Sequence, residues 1–239
     1  MKVIPIKGTI ISNNSKWIYE LFEREATAPK DIVLPETGED VEIHINSGGG
    51  DVYAGSEIYT ALRAYSGRVT VKIVGIAASA ASVIAMAGDS VEISPTAQIM
   101  IHNVSSGVYG DHNALEHEAA VLKGFNKSIA SAYVHKTGKE LNDLLELMNQ
   151  TTWFDAESAV ENGFADKVMF AQEVAPLLVA SETPMIPQDF IERMQATMTP
   201  DVDKIAELVA QKLAEHEPEK EKTEKKKAAE PSGFGRFAF

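Results

Sequence analysis

Residues 69–77 have the sequence VTVKIVGIA, a β-branched pattern that predicts a strand. Residues 79–87 follow as SAASVIAMA, which predicts a helix of small side chains that ends at Gly88. Ser79 therefore lies at a strand-to-helix junction, beside the positive end of the helix dipole. The N–H of Ala80 belongs to the first turn, whose donors the helix itself cannot satisfy.

Two interpretations of Ser79 follow from this position. A hydroxyl beside a free backbone N–H suits a nucleophile with an oxyanion-stabilising amide next to it. Serine is also a favoured residue at the N-cap of a helix, and spacing alone favours this structural role. Ser82 is a second candidate nucleophile, but it lies one turn into the helix, where its hydroxyl can bond back to a carbonyl.

A glycine run follows another predicted strand. Residues 45–55 read INSGGGDVYAG, and we expect residues 46–50 to form a turn whose backbone N–H groups can face a ligand. No Gly-Lys-Ser/Thr follows, and the dinucleotide-binding glycine pattern fails at Tyr53. The run therefore predicts a tight turn or an oxyanion donor rather than a phosphate site.

A histidine ends a short apolar strand in residues 99–103, IMIHN. A single histidine in such a place is usually structural, but His102 can act as a base for a serine that is distant in sequence. His112 and His117 are five residues apart, a poor match to the i,i+4 spacing of a helical metal pair. We expect those two to be solvated or interfacial.

The remaining pattern alternates strands with helices, which predicts an α/β fold with parallel strands and crossover helices. Pro5 and Gly8 are expected to break the first strand. Strands are predicted at 3–11, 41–45, 91–93 and 98–101, and helices at 15–25, 52–65, 111–135, 139–148 and 155–162.

The chain divides into three predicted regions. Residues 1–170 form the globular domain, and residues 171–216 are a proline-interrupted helical extension with an amphipathic helix at 202–216. Residues 217–239 are a charged, low-complexity tail that we expect to be disordered.

Composition restricts the possible functions of the 239-residue chain. The net charge of −13 and the pI near 4.9 argue against a nucleic-acid binder, which needs a basic face. The absence of cysteine excludes disulfides, thiolate catalysis and cysteine metal sites. Neither a signal peptide nor an 18-residue apolar run is present, so we expect a cytoplasmic location.

Taken in order, these segments resemble the Clp protease proteolytic subunit (ClpP) family. Residues 45–55 fit the form INS-x-GG-x-V-x-AG, residues 75–79 the form G-x-AAS, and residues 100–102 the form MIH. Residues 153–166, WFDAESAVENGFAD, resemble a further segment of the family. The resemblance covers about residues 1–170 and favours the catalytic interpretation of Ser79.

The resemblance implies a crotonase-like α/β fold, a spiral of ββα units with a protruding handle helix at 111–135. Ser79 would be the nucleophile, His102 the general base, and the N–H groups of Gly50 and Ala80 the oxyanion hole. It implies protein or peptide substrates and seven-membered rings that stack face to face. The mechanism needs no metal or organic cofactor, and no cluster of ligand residues predicts one.

The sequence departs from the family at the acidic member of the triad. Ungapped matching places Thr151 there, and a threonine cannot supply the negative charge that steadies an imidazolium. Asp155 is near, but we expect it to cap the helix that begins at Ala156. The prediction is either a Ser–His dyad helped by the Thr151 hydroxyl or the recruitment of Asp155.

Two further departures concern biological role. The family's segment ahead of the first strand is not found, which makes a Clp ATPase partner doubtful, and residues 171–239 extend past the family core. With Thr151, these features resemble Clp-related head-maturation proteases of tailed phages. They imply capsid or scaffold substrates and a location in the bacterial host cytoplasm or the prohead.

Two alternatives to a peptidase remain. A crotonase-fold enzyme acting on acyl-CoA would use a similar pair of oxyanion amides without needing Ser79. An inactive Clp-like assembly subunit is the other, and Thr151 is the feature that favours it.

Overall fold

The computed structural model describes residues 1–171, 193–194 and 207. Residues Met1–Val174 make up one compact unit, and Ala175–Phe239 fall outside it. The predicted helix over 202–216 is described only at Glu207, which is helical, and the predicted tail lies outside the described residues. The proposed division of the C-terminal part into an extension and a tail stays a prediction.

The described part of the chain contains eight strands and six α-helices, with short 3₁₀ turns at Asn13–Ser15 and Pro29–Asp31. The strands are β1 (Lys2–Ile10), β2 (Ala26–Thr27), β3 (Val41–Gly50), β4 (Val69–Ala78), β5 (Ser90–Ile93), β6 (Gln98–Ile101), β7 (Thr152–Phe154) and β8 (Lys167–Val168). The helices are α1 (Lys16–Leu21), α2 (Val52–Arg63), α3 (Ala80–Ala85), α4 (His112–Thr137), α5 (Leu141–Asn149) and α6 (Ala156–Glu161).

The strands form one sheet in the order β2-β1-β3-β4-β5-β8, and every pair along this path is parallel. Strand β4 is shared between two partners. Its first half pairs with β5, and its last three residues pair with β6, which is itself antiparallel to β7. The predicted α/β architecture with parallel strands is confirmed, and the carboxyl end of β4 is where the sheet divides.

Alternation along the central strands builds the core. In β3 every second residue from Val41 to Ile45 is fully buried, and β4 repeats the pattern from Val69 to Ile73. Small side chains of α3 then pack closely against the sheet, because all six of its residues are buried. The largest fully buried side chains of the described residues are Tyr133, Phe164, Ile6, Ile10, Ile43, Ile45, Ile58, Leu62, Ile73, Ile84, Met86 and Ile93.

The first strand is continuous, so the predicted break at Pro5 was wrong. Pro5 pairs with His44 of β3 within an unbroken register. The backbone N–H and C=O of Lys7, two residues further along β1, point to the same side of the strand as those of Pro5. Both bond to the hydroxyl of Thr27, on the side of β1 opposite β3. The imide nitrogen of Pro5 therefore lies on the β2 side of β1. Strand β2 does not extend as far as Pro5, so no backbone N–H is needed there. The register does shift at Gly8, whose φ is +64°.

Two further predictions of local structure need correction. The helix predicted at 15–25 is shorter, because α1 ends at Leu21 and Glu23 has a φ of +51°. The glycine run at 46–50 is not a turn outside the sheet but the last half of β3. Strand β3 extends that far because the carboxyl end of β1 still pairs with it, as Ile10 is the partner of Gly50.

The long helix α4 contacts the core through its last third. Its fully buried residues are Ala130, Ala132 and Tyr133, and it ends at Gly138 in the left-handed conformation. The preceding part of α4 is more exposed, but it still contacts the domain, because Phe125 packs edge-to-face on Tyr53 and Asn126 accepts from the N–H of Val104. The expected protrusion of a handle helix stays a prediction. Within residues 1–171, 193–194 and 207, no helix has the length and apolar character needed to span a membrane.

Candidate active site

Ser79 occupies the turn between β4 and α3 in an unusual backbone conformation. Its φ is +55° and its ψ is −125°, values that cost a non-glycine residue free energy. Ser79 stands at the N-cap position of α3, yet its side chain makes no capping hydrogen bond. The hydroxyl is therefore directed away from the helix and is available to another group.

That other group is His102. The Nε2 atom of His102 lies 2.7 Å from Oγ of Ser79, a normal hydrogen-bond distance. His102 directly follows β6, whose residue Met100 pairs with Ala78 at the end of β4. When Nε2 carries no proton it accepts the hydroxyl proton of Ser79, and the imidazole proton is then on Nδ1.

A cavity of about 270 Å³ opens over this pair. Gly50 and Ala80, the expected oxyanion donors, line the same cavity as Ser79 and His102. The structure therefore brings these four residues together. The other lining residues are mainly apolar or small: Gly48, Val52, Gly55, Ser56, Val83, Met100, Val104, Ser105, Ile129 and Tyr133.

Gly49 makes the closest backbone approach to the serine turn, a role that the sequence analysis did not assign. A Cβ atom on Gly49 would lie 2.6 Å from the carbonyl oxygen of Ala78 and 2.7 Å from Cβ of Ser79. Its φ of +93° also favours glycine. Its N–H donates to Oγ of Ser47, which in turn donates to the carbonyl of Gly8. The run of three glycines was the signal that could have identified this contact.

The two candidates for a third member are placed differently. Asp155 caps α6, as expected, because its Oδ1 accepts from the N–H of Ser158 at 2.8 Å and from its hydroxyl at 2.6 Å. These bonds to Ser158 hold the pKa of Asp155 below its usual value. Thr151 follows α5 with a φ of +53°. In the described part of the chain, neither residue is hydrogen-bonded to His102.

A buried polar pair behind the serine turn was also missed. Ser82 donates to the carbonyl oxygen of Ser79 at 2.7 Å, which confirms the expected bond back to a carbonyl. Its Oγ also lies 2.8 Å from the hydroxyl of Tyr133 on α4. The sequence analysis assigned no role to Tyr133, because the sequence does not show which strand or helix this residue contacts.

The remaining histidines of α4 do not form a site. His112 and His117 are exposed, in agreement with the expectation of solvated side chains. Across the described residues, no three His, Cys, Asp or Glu side chains lie close enough to hold a metal ion.

Comparison with known proteins shows which family the chain that carries this site resembles. The family model described as Clp protease matches residues 31–172, a segment that contains Ser79, His102 and Thr151. The chain is 29% identical over 132 residues to the ATP-dependent Clp protease proteolytic subunit 2 of Tropheryma whipplei, covering 54% of this chain and 73% of that protein. It is 32% identical over 136 residues to the proteolytic subunit of Bacteroides fragilis, covering 56% of this chain and 66% of that protein.

Other relatives are matched over a smaller share of their length. The similarity to proteolytic subunit 1 of Salinibacter ruber spans 56% of that protein at 29% identity. The chain thus spans between about half and three quarters of the curated relatives that it matches.

A solved structure has the same fold. A ClpP1 mutant of Listeria monocytogenes superposes with a TM-score of 0.58 at 22% identity, covering 70% of this chain and 90% of that one. This similarity confirms the predicted crotonase-like ClpP fold. Since the family model also spans more than half of the sequence, the chain belongs to the Clp protease family of serine peptidases.

Proposed function

We propose that this protein is a serine endopeptidase in which Ser79 is the nucleophile and His102 the general base. The observation that carries the proposal is the 2.7 Å hydrogen bond between Oγ of Ser79 and Nε2 of His102 at the edge of an open cavity. A serine hydroxyl becomes an effective nucleophile when a base accepts its proton during attack.

The reaction follows from this geometry. Oγ of Ser79 attacks the substrate carbonyl carbon while His102 takes the proton, and the tetrahedral oxyanion is stabilised by the N–H groups of Gly50 and Ala80. His102 then gives the proton to the leaving amine, and an acyl-enzyme remains. A water molecule, deprotonated by His102, attacks the ester and releases the acid and free Ser79.

We infer that the Ser79–His102 pair works without a carboxylate partner. The carboxylate of Asp155 is engaged by Ser158 and caps α6, and Thr151 has no charge to offer. Serine peptidases from which the acid has been removed keep only a residual rate over the uncatalysed reaction, which comes from the oxyanion hole and substrate binding. This arrangement predicts a slower enzyme than one with a complete triad.

A peptidase assay tests the proposal. We expect hydrolysis of fluorogenic peptides by the wild type and a loss of at least 1,000-fold in kcat for Ser79→Ala. Ser66→Ala is a control, because Ser66 is exposed in the connection between α2 and β4 and does not line the active-site cavity. Equal peptide hydrolysis by Ser79→Ala would contradict Ser79 as the nucleophile. Turnover of an acyl-CoA that survives in Ser79→Ala would instead favour the crotonase-fold alternative.

The assembly proposed for the active protein is a homo-oligomeric ring. The exposed face of α4 is consistent with it, because Leu115, a large apolar residue of that helix, is half-exposed in the single subunit. Native mass spectrometry would give the number of subunits. A monomer that hydrolyses peptides at the full rate would contradict the ring as a requirement for activity.

For the physiological substrate we propose capsid or scaffold protein of a tailed phage. This proposal rests on the residue pattern at Thr151 and on residues 171–239 beyond the segment of resemblance, whereas the relatives above support only the peptidase. Purified capsid and scaffold proteins from phage proheads should be cleaved by the wild type and left intact by Ser79→Ala. Intact prohead proteins with an otherwise active enzyme would exclude this substrate.

A further inference from the structure

Two buried side chains and the backbone carbonyl of Ser79 form a hydrogen-bonded chain behind the active serine. The hydroxyl of Tyr133 contacts that of Ser82 at 2.8 Å, and Ser82 contacts the carbonyl oxygen of Ser79 at 2.7 Å. Ser82 is 0% exposed and Tyr133 is 1% exposed, so both hydroxyls depend on partners within the protein. The ring of Tyr133 is also fixed by an edge-to-face contact with Phe164.

The direction of each hydrogen bond in this chain can be deduced. A carbonyl oxygen can only accept, so Ser82 must use its one hydroxyl proton on the carbonyl of Ser79. Tyr133 must therefore donate to Oγ of Ser82. Burial raises the pKa of Tyr133, which keeps this hydroxyl protonated and able to donate.

This hydrogen-bonded chain ends on Ser79, the residue whose backbone is strained. The N–H of Ser79 donates to the carbonyl of Met100 at 2.9 Å. Its carbonyl accepts from the N–H groups of Ser82 and Val83 as well as from the Ser82 hydroxyl. Both peptide groups that flank the α-carbon of Ser79 are thus held, as a residue with a φ of +55° requires.

We propose that Ser82 and Tyr133 are positioning residues for the peptidase reaction, holding the Ser79 backbone so that its Oγ meets His102 and lies beside the N–H of Ala80. The inference rests on the proposed role of Ser79 as nucleophile. Ser82 acts through the Ser79 carbonyl, and Tyr133 fixes the orientation of the Ser82 hydroxyl from α4. Neither residue exchanges a proton with substrate.

The experiment compares wild type, Ser82→Ala, Tyr133→Phe, the double variant and the control Ser66→Ala. Peptide hydrolysis gives kcat and KM, a fluorophosphonate probe gives the rate of Ser79 labelling, and thermal unfolding reports the fold. We expect kcat and the labelling rate to fall at least fivefold in Tyr133→Phe and at least tenfold in Ser82→Ala, with KM within twofold of wild type. The control should match wild type.

The double variant tests whether the two hydroxyls act as one unit. Its kcat should lie within twofold of that of Ser82→Ala, because the Tyr133 hydroxyl acts only through Ser82. Additive losses would overturn the coupled arrangement. If Ser82→Ala does not fold, Tyr133→Phe decides alone, since it keeps every carbon atom of the side chain.

The experiment separates a failure of the proposed nucleophile from a failure of the positioning role. A folded wild type that is not labelled at all would overturn the proposed nucleophile and this inference with it. A labelled wild type together with folded Ser82→Ala and Tyr133→Phe variants of unchanged kcat would overturn the positioning role alone. A lower unfolding temperature with unchanged kcat would show a structural role only.

Discussion

The backbone N–H of Ser79 donates to the carbonyl oxygen of Met100 at 2.9 Å, and His102 lies two residues beyond Met100. The strand pairing that aligns Ala78 with Met100 therefore also fixes the distance between the serine and the histidine. The Ser79–His102 contact therefore depends on the pairing of β6 with the carboxyl end of β4. We expect backbone changes at this end of β4 to reduce activity more than they reduce the stability of the fold.

The first prediction concerns Gly49. Gly49→Ala should lower the free energy of unfolding by about 2–4 kcal/mol, because its Cβ would collide with Ala78 and Ser79 at a positive φ. Displacement of the serine turn should also reduce kcat/KM at least 100-fold. Chemical denaturation and peptide hydrolysis measure the two effects.

Gly107→Ala is the control, since a Cβ atom there meets nothing within 4 Å, its backbone needs no positive φ, and it does not line the active-site cavity. We expect this variant to keep its stability and to stay within threefold of wild-type activity. A Gly49→Ala protein as stable and active as Gly107→Ala would show that the close approach of Gly49 to Ser79 affects neither the fold nor the reaction.

The second prediction concerns the acid position. Thr151→Val removes a hydroxyl, and Asp155→Asn removes a charge that the structure assigns to the cap of α6. If the Ser79–His102 pair acts alone, each variant should keep kcat within about threefold of wild type. Asp155→Asn should still cap the helix, because asparagine is as good an N-cap as aspartate.

Steady-state kinetics of both variants and of their combination decide the matter. A loss of tenfold or more in the kcat of Thr151→Val would support the prediction that the Thr151 hydroxyl assists His102. The same loss in Asp155→Asn, with unchanged thermal stability, would show that this carboxylate is recruited to the site.

The third prediction concerns the pH dependence of stability. Lys72 donates to Glu42 at 2.7 Å and His44 contacts its other carboxylate oxygen at 3.0 Å, which holds the pKa of Glu42 below its usual value. A lowered pKa stabilises the fold above the unfolded-state value near 4.5 and ceases to do so as the pH falls through the folded-state value.

Glu42→Gln should therefore lower Tm by about 2–4 °C at pH 7, and this difference should shrink as the pH is brought below about 4. Differential scanning calorimetry across this range measures it. The exposed Glu57→Gln is the control and should show little difference at either pH. A constant difference between pH 7 and pH 3 would argue against ion pairing as its cause.

Local patterns predicted many of the strands and helices, whereas the pairing of Ser79 with His102 was predicted only from the resemblance to a known family. The alternation in β3 and β4 indicated buried strands, and the small residues after Ser79 indicated a helix that can pack closely on a sheet. The ordered segments around Gly50, Ser79 and His102 led to the fold that the structure has. These features depend on spacing along the chain, which a sequence displays directly.

Other features depended on contacts between distant segments. The continuity of β1 through Pro5 follows from β2 being too short to reach that position. The close approach of Gly49 to Ser79 requires the register of β3 against β4. The pairing of Tyr133 with Ser82 joins residues 51 positions apart, and no local pattern indicates it.

The most direct test of the account is the intact mass of the assembled protein after treatment with a fluorophosphonate serine probe, with Ser79→Ala measured in parallel. The account predicts one adduct per subunit in the wild type and none in Ser79→Ala. A folded, assembled wild type that forms no adduct would contradict an activated Ser79, and it would favour an inactive assembly subunit.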